Sequence, residues 1–196
     1  MMRPLTSFLR SDRASVTVEF VAIFPFFLFV AFFVMEVTLA FFWWKTAEKA
    51  AHIGARVAIV SNIAAGGVPN RNGIATDAIS GTLCSDASNP CVSFGPVTCD
   101  STSCDAATFD RVVGRMQNIF GVIQDQNVTI TYENTGLGFA GGPTVPLVTV
   151  NLSGIQFQTG IVSILGNFIG GDENALTTLP DISATLTGED LSQNGA

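Results

Sequence analysis

Histidine is nearly missing from this chain, His52 being its single copy. A serine or cysteine nucleophile activated by imidazole would have to be assembled around that position, in a charged stretch beside a long apolar run, so no catalytic residue is assigned and no enzyme is expected. Basic side chains are equally scarce in the distal part. After Arg56 only Arg71, Arg111 and Arg115 remain against twelve acids, a net −9 for that part. An acidic surface repels phosphate backbones, and nucleic acid is not an expected partner.

Other patterns fail on context. The four cysteines, Cys84, Cys91, Cys99 and Cys104, are separated by gaps of six, seven and four residues, which do not make the paired CxxC of a zinc ribbon. Asp172 and Glu173 lack the spacing of a calcium loop, so no metal is expected. Gly136, Gly138 and Gly141 fit GxGxxG, but Pro143 and Pro146 follow and no helix begins there; the segment reads as a turn, without cofactor or small-molecule substrate. Asn127 and Asn151 open glycosylation sequons, yet both lie in strand-like patterns.

What is abundant is hydrophobic length. Residues 20–44 are 25 positions with one charge, Glu36, and a bilayer span needs about 20. A core helix of that composition would need a large apolar shell around the seven phenylalanines between Phe20 and Phe33, and the Gly-, Thr- and Asp-rich remainder does not supply one. A basic start, Arg3, Arg10 and Arg13, precedes the run. No small-x-small cleavage pattern follows a short apolar region, so the segment reads as a retained anchor. Pro25 falls early in the run, where it removes a backbone donor and bends or loosens the helix.

Past Trp43 and Trp44, which suit a lipid–water boundary, periodicity becomes amphipathic. Lys45, Glu48, Lys49, His52 and Arg56 share one helical face; Ala47, Ala51, Gly54 and Ala58 form a small-residue stripe that permits close packing. One helix is predicted over 15–63. A second is expected over 74–83, and a third over 106–120, capped by Asp105 with Phe109, Val112, Val113, Met116 and Phe120 as its apolar face. Strands are expected over 128–133, 147–157 and 182–186, with an apolar helix or loop over 159–168. The predicted architecture is α+β: a long N-terminal transmembrane-to-amphipathic helix packed on a small antiparallel sheet domain, with two further helices and a disulfide-bearing loop. Its parts are a basic cytoplasmic leader (1–14), a membrane helix (15–44), a juxtamembrane amphipathic helix (45–63) and an exported domain (64–196).

Clustering of all four cysteines within 21 residues favours two disulfides in an oxidising compartment; sequential and nested pairings both give short loops. Orientation is not settled by charge, since three Lys or Arg flank each end of the run. Oxidised cysteines place the distal part on the exported side.

Val18-Glu19-Phe20, then Pro25, then Glu36 eleven residues on, then Ala50-Ala51 and Gly54-Ala55-Arg56 together resemble the N-terminal signature of TadE-like proteins, the pilin-like subunits of tight-adherence (Flp, type IV) pilus systems. The resemblance covers about a quarter of the chain, residues 14–60. It implies a bacterial inner-membrane protein with a single span, a cytoplasmic N-terminus and a periplasmic domain. Its implied partners are the membrane, other pilin-like subunits, pilus assembly proteins and a prepilin peptidase. Such a peptidase cuts after a small residue, usually Gly, five positions before a glutamate. Here Glu19-Phe20 would set the cut between Ala14 and Ser15, with Ala14 a departure from Gly. The resemblance also implies that Glu19 meets the N-terminal amine of a neighbour, and that Pro25 and Glu36 lie where subunits associate. By the membrane cost alone, Glu36 belongs near the outer interface, protonated, or against a partner. The competing readings are an uncleaved single-pass envelope scaffold or adhesin, and a membrane-anchored periplasmic enzyme.

Overall fold

A computed structural model of the chain describes residues 12–156 and 178–188, with side chains from residue 16 onward. The expected apolar segment over 159–168, the Asp172-Glu173 pair and the leader before Asp12 lie outside the described residues. The order of elements is a helix α1 (Asp12–Ile59), short strands β1 (Gly73–Ile74) and β2 (Cys91–Val92), β3 (Val97–Cys99), helix α2 (Ala106–Gln117), a 3-10 turn (Asp125–Asn127), then β4 (Val128–Asn134), β5 (Pro146–Leu152) and β6 (Ile182–Thr187). This is the expected α+β class. Among the described residues the chain divides after Phe42 into two compact units.

The first unit carries the apolar part of α1, up to Phe42. Pro25 lies inside the helix, so the Val21 carbonyl has no amide to receive four residues on. Thr38 compensates elsewhere for its own polarity by returning its Oγ1 to the Val34 carbonyl at 2.8 Å.

The second unit is a sheet-and-helix sandwich. Strands β3-β4-β5-β6 lie in sequence order, antiparallel throughout, so each turns back beside its predecessor. Alternation sends Val128, Ile130 and Tyr132 of β4, Val148, Val150 and Leu152 of β5, and Ile182 and Ala184 of β6 inward. Against them pack the last turns of α1, through Ala47, Ala50, Ala51, Ala55 and Ala58, and α2, through Phe109, Val112, Val113 and Met116. The small-residue stripe is therefore a packing face. Alanine contributes little apolar area, but it lets the helix backbone approach larger side chains closely. Asp105 caps α2 as expected, accepting from the Thr108 amide at 3.0 Å, a contact worth about 1 kcal/mol.

The opposite sheet face is hydroxylated. Thr98, Thr131, Thr149 and Thr185 stand in register across all four strands. Thr98 pairs with Thr131 at 3.0 Å and Thr149 with Thr185 at 2.9 Å, which ties the strands in pairs.

Several expectations need correction. The strand expected over 147–157 ends at Leu152, where the Ser153 amide turns to the Asn127 carbonyl at 3.0 Å and Gly154 takes positive φ (67°), and the helix expected over 106–120 ends at Gln117. The first helix ends at Ile59, four residues short of the predicted end. There Ser61 returns its hydroxyl to the Val57 carbonyl at 2.7 Å, and the Ala64 amide leaves the helix to donate to the Tyr132 hydroxyl at 3.1 Å. No helix occupies 74–83. Ile74 pairs with Cys91, Asp77 and Gly81 take positive φ (67° and 88°), the Gly81 amide bonds the Ala140 carbonyl at 2.9 Å, and the Ala78 and Thr82 amides close turns three residues back, so the donors of this segment go across the chain or into isolated turns rather than four residues back. The 3-10 turn, not a strand, holds Asn127. Its Oδ1 accepts from the Gln124 amide at 3.0 Å and its Nδ2 donates to the Ser153 carbonyl at 2.9 Å, committing that sequon amide to the fold.

The candidate assembly helix and the disulfide-bonded domain

Along the apolar part of α1 the large side chains stand outward. Phe20, Phe26, Phe27 and Phe42 are 63, 69, 64 and 65% exposed. A soluble helix buries such a stripe; this one offers rings on every side. Burying one large apolar side chain stabilises by about 1.5–3 kcal/mol, so a bare run of this length demands lipid or partner helices.

Ala14 and Ser15 lie on the first turn of α1, their side chains outside the described residues. Glu19 and Phe20 follow on an exposed turn, and the Phe20 ring stacks on Phe24 with centroids 5.2 Å apart and planes 22° off parallel. Glu36 is partly buried. The structure does not bring these acids together. Seventeen residues of helix separate Glu19 from Glu36, about 26 Å at 1.5 Å per residue. With Trp43 and Trp44 at the outer boundary, Glu36 lies about 12 Å inside it along the helix, so the two acids meet different depths of the apolar run.

In the second unit Trp43 is half-buried, edge-on to Phe120 with centroids 5.5 Å apart. The Lys45 ammonium stands over the Trp44 ring at 5.4 Å and pairs with Glu48 at 2.8 Å. This neighbour lowers the Glu48 pKa below its ordinary value, chiefly through the Lys45 hydrogen bond.

The cysteines pair sequentially, Cys84 with Cys91 and Cys99 with Cys104. Of the two short-loop arrangements, this one leaves each bridge closing its own turn. Within the second, Asp100 gathers four donors on Oδ1: the Thr102 amide and hydroxyl at 2.9 and 2.7 Å, the Ser103 amide and hydroxyl at 3.1 and 2.8 Å. Donation to the ionised form lowers its pKa to about 2, with the Thr102 hydroxyl the largest cause.

Sequence reasoning missed Asn72. Its buried amide faces the Leu137, Phe139 and Pro143 carbonyls at 3.5, 3.3 and 3.3 Å, fastening the glycine turn. Gly138 (φ 91°) and Gly141 (φ 78°) give that turn its left-handed corners, and a Cβ on Gly138 would lie 2.9 Å from the Asn72 Nδ2. The GxGxxG segment is thus the turn its prolines indicated. Among the described residues no group of three or more His, Cys, Asp or Glu is placed to hold a metal ion.

Comparison with known proteins adds one finding. No curated protein and no solved structure gives a significant match. A protein-family model does match, over residues 14–56, and its description is TadE-like protein. That segment holds Glu19, Pro25, Glu36, the packed Gly54 and Ala55 and the exposed Arg56, so over this helix the chain is similar to TadE-like proteins.

Proposed function

We propose that this chain is a pilin-like membrane subunit that takes part in assembling a tight-adherence type IV pilus, as a minor or priming component rather than the bulk of the fibre. The observation that carries the reading is the TadE-like match over 14–56, lying on one helix whose apolar part is exposed. The parts are those the sequence marks: a cytoplasmic leader over 1–14, a span over 15–44, a juxtamembrane segment over 45–63 and a periplasmic domain from 64 onward.

The mechanism is non-catalytic. Residues 20–44 insert in the inner membrane with the N-terminus cytoplasmic, and the disulfides support an oxidising, exported side for the remainder. A prepilin peptidase removes the leader between Ala14 and Ser15. Glu19 then receives the N-terminal amine of a neighbouring subunit, and lateral helix contacts around Pro25 and Glu36 follow, because a charge pair formed at the membrane edge removes the cost of leaving either group alone there.

Mass spectrometry of the chain purified from cells with an active prepilin peptidase tests this. A mature N-terminus at Ser15 is expected. An intact arm through Ala14 would sink the processed-subunit reading and leave the uncleaved scaffold or adhesin.

A further inference from the structure

Beyond Trp44 the two faces of α1 differ sharply. At about 100° per residue, Lys45, Lys49, His52 and Arg56 fall within about 60° of one another, while the buried Ala47, Ala50, Ala51, Gly54, Ala55 and Ala58 centre about 160° away. The cationic face therefore looks away from the domain to which its own helix is packed. All four of its side chains are exposed, and they line a shallow depression with Glu48 and Ile53. Lys45 is engaged by Glu48. Among the described residues no carboxylate forms an ion pair with Lys49 or Arg56.

Lipid phosphates account for only the lower end of this face. A headgroup layer adds about 5–8 Å beyond the hydrocarbon edge. With Trp44 at that edge, Lys49 lies about 7 Å, His52 about 12 Å and Arg56 about 18 Å further along the axis. A tilt of about 20° shortens these heights by only about 6%. Arg56 thus stands among exported domains, not headgroups. There the chain itself supplies the opposite charge: all eight acids described after Arg56 are exposed, and none is ion-paired with another described residue.

We propose that the Lys49–Arg56 face docks on the acidic exported surface of a second copy of this chain standing beside it in the membrane. This rests on the pilin-like reading and names the contact through which copies associate. The cationic face lies on the side of α1 opposite the domain that carries the acids, so one copy presents the two charges on opposite sides and the contact runs head to tail. The face of one copy meets the acids of the next, whose own cationic face is left open, and such head-to-tail contacts propagate along a row.

The test uses the full chain in vesicles of phosphatidylcholine alone, mixing unlabelled and nitrogen-15-labelled protein before zero-length carbodiimide crosslinking. A ladder of dimers and longer species is expected, with mixed-isotope crosslinks from Lys49 to carboxylates after Arg56, weakened at about 0.5 M salt. The double variant K49E/R56E, checked for unchanged thermal unfolding, is expected to lower the ladder roughly tenfold. Added in excess to the wild-type chain, it still offers its acids, so dimers persist while longer species vanish. An unchanged ladder in the variant overturns the proposal, as do crosslinks confined to one isotope, dimers lost together with the longer species, or association that requires phosphatidylglycerol. The N-terminus is read separately. A ladder together with an intact N-terminus on the chain purified from cells with an active prepilin peptidase keeps this contact and sinks the processed-subunit reading; a Ser15 terminus on that chain without a ladder does the reverse.

Discussion

The sulfur of Met116 fills the space that a side chain at Gly54 would need. A Cβ built on Gly54 would lie 2.5 Å from the Met116 Sδ and 2.9 Å from its Cγ, and Met116 is fully buried, so the thioether has little freedom to withdraw. Gly54 is thereby a packing residue inside the segment that matches the TadE-like model, where helix α1 packs against Met116 of α2. Gly in a helix interior costs up to about 1 kcal/mol relative to Ala, and the close approach is what offsets that cost here.

Gly54→Val is expected to lower the stability of the second unit by about 1–3 kcal/mol, as overpacked cores do. Denaturant unfolding of the detergent-solubilised chain measures it. Met116→Ala in the same background should recover part of the loss. A loss that Met116→Ala leaves unchanged would show that this contact is not its source.

Tyr132 is fully buried, and its hydroxyl accepts from the Ala64 amide where the chain leaves α1. Tyr132→Phe strands that amide, at a cost of about 1–3 kcal/mol. Burial also raises the phenol pKa from its ordinary 10.0, with the Ala64 hydrogen bond opposing. The neutral form is the one the fold favours, so its contribution is complete below pH 10.0 and is lost as pH rises past that value. Since Tyr132 is the chain's single tyrosine, spectrophotometric titration reads it directly. A phenol titrating at its ordinary value in the folded chain would refute the account.

Asp100 gives the opposite sign. Its folded pKa, about 2 against an ordinary 3.8, means that its contribution is present above 3.8 and fades as pH falls toward 2. Carboxyl resonances followed by NMR should show one aspartate titrating near 2, and Asp100→Ala should remove that transition along with the amide protection of Thr102 and Ser103.

These cases indicate what the sequence could reveal. Periodicity was legible wherever one element buries one face: the α2 stripe from Phe109 to Met116 and the alternation of β4 and β5 appear as expected. Segment 74–83 was illegible because its structure is set by remote partners. The Leu83–Phe139 bridge, the Cys84–Cys91 bond and the Asn72 amide decide its path, and none leaves a local period. Strand β3 was missed for a related reason, having three residues inside the cysteine loop and gaining its form from β4. At the candidate assembly helix the residue types and spacings were visible from the start, whereas the opposition of its cationic and packed faces needed the sheet to show which face is covered.

The two disulfides should differ in reach. A bridge closing a loop this short stabilises by about 2–3 kcal/mol through the unfolded chain. Cys84→Ser with Cys91→Ser removes the link beneath β1 and β2, so hydrogen exchange is expected to rise at Ala75 and Cys84, whose amides bond the Pro90 and Gly138 carbonyls, and to stay unchanged across β4 and β5. Cys99 is buried in the core at the end of β3. Cys99→Ser with Cys104→Ser should therefore spread the loss of protection into β4 at Ile130, the register partner of Cys99. Equal, local effects of the two pairs would contradict this.

Glu19 offers the most direct test of association at the membrane edge. A charge-assisted hydrogen bond contributes about 1.5–3 kcal/mol, so removing its charge should cost roughly tenfold or more in partner binding. Glu19→Gln is expected to leave insertion and disulfide formation intact while lowering co-purification with partner pilins by that factor. Glu36→Gln serves as the comparison, because about 26 Å of helix separates it from any amine at the cytoplasmic edge. If both variants co-purify like the parent chain, the pairing role of Glu19 fails; if both lose partners equally, the loss belongs to lateral packing of the helix and not to a charge pair at its start.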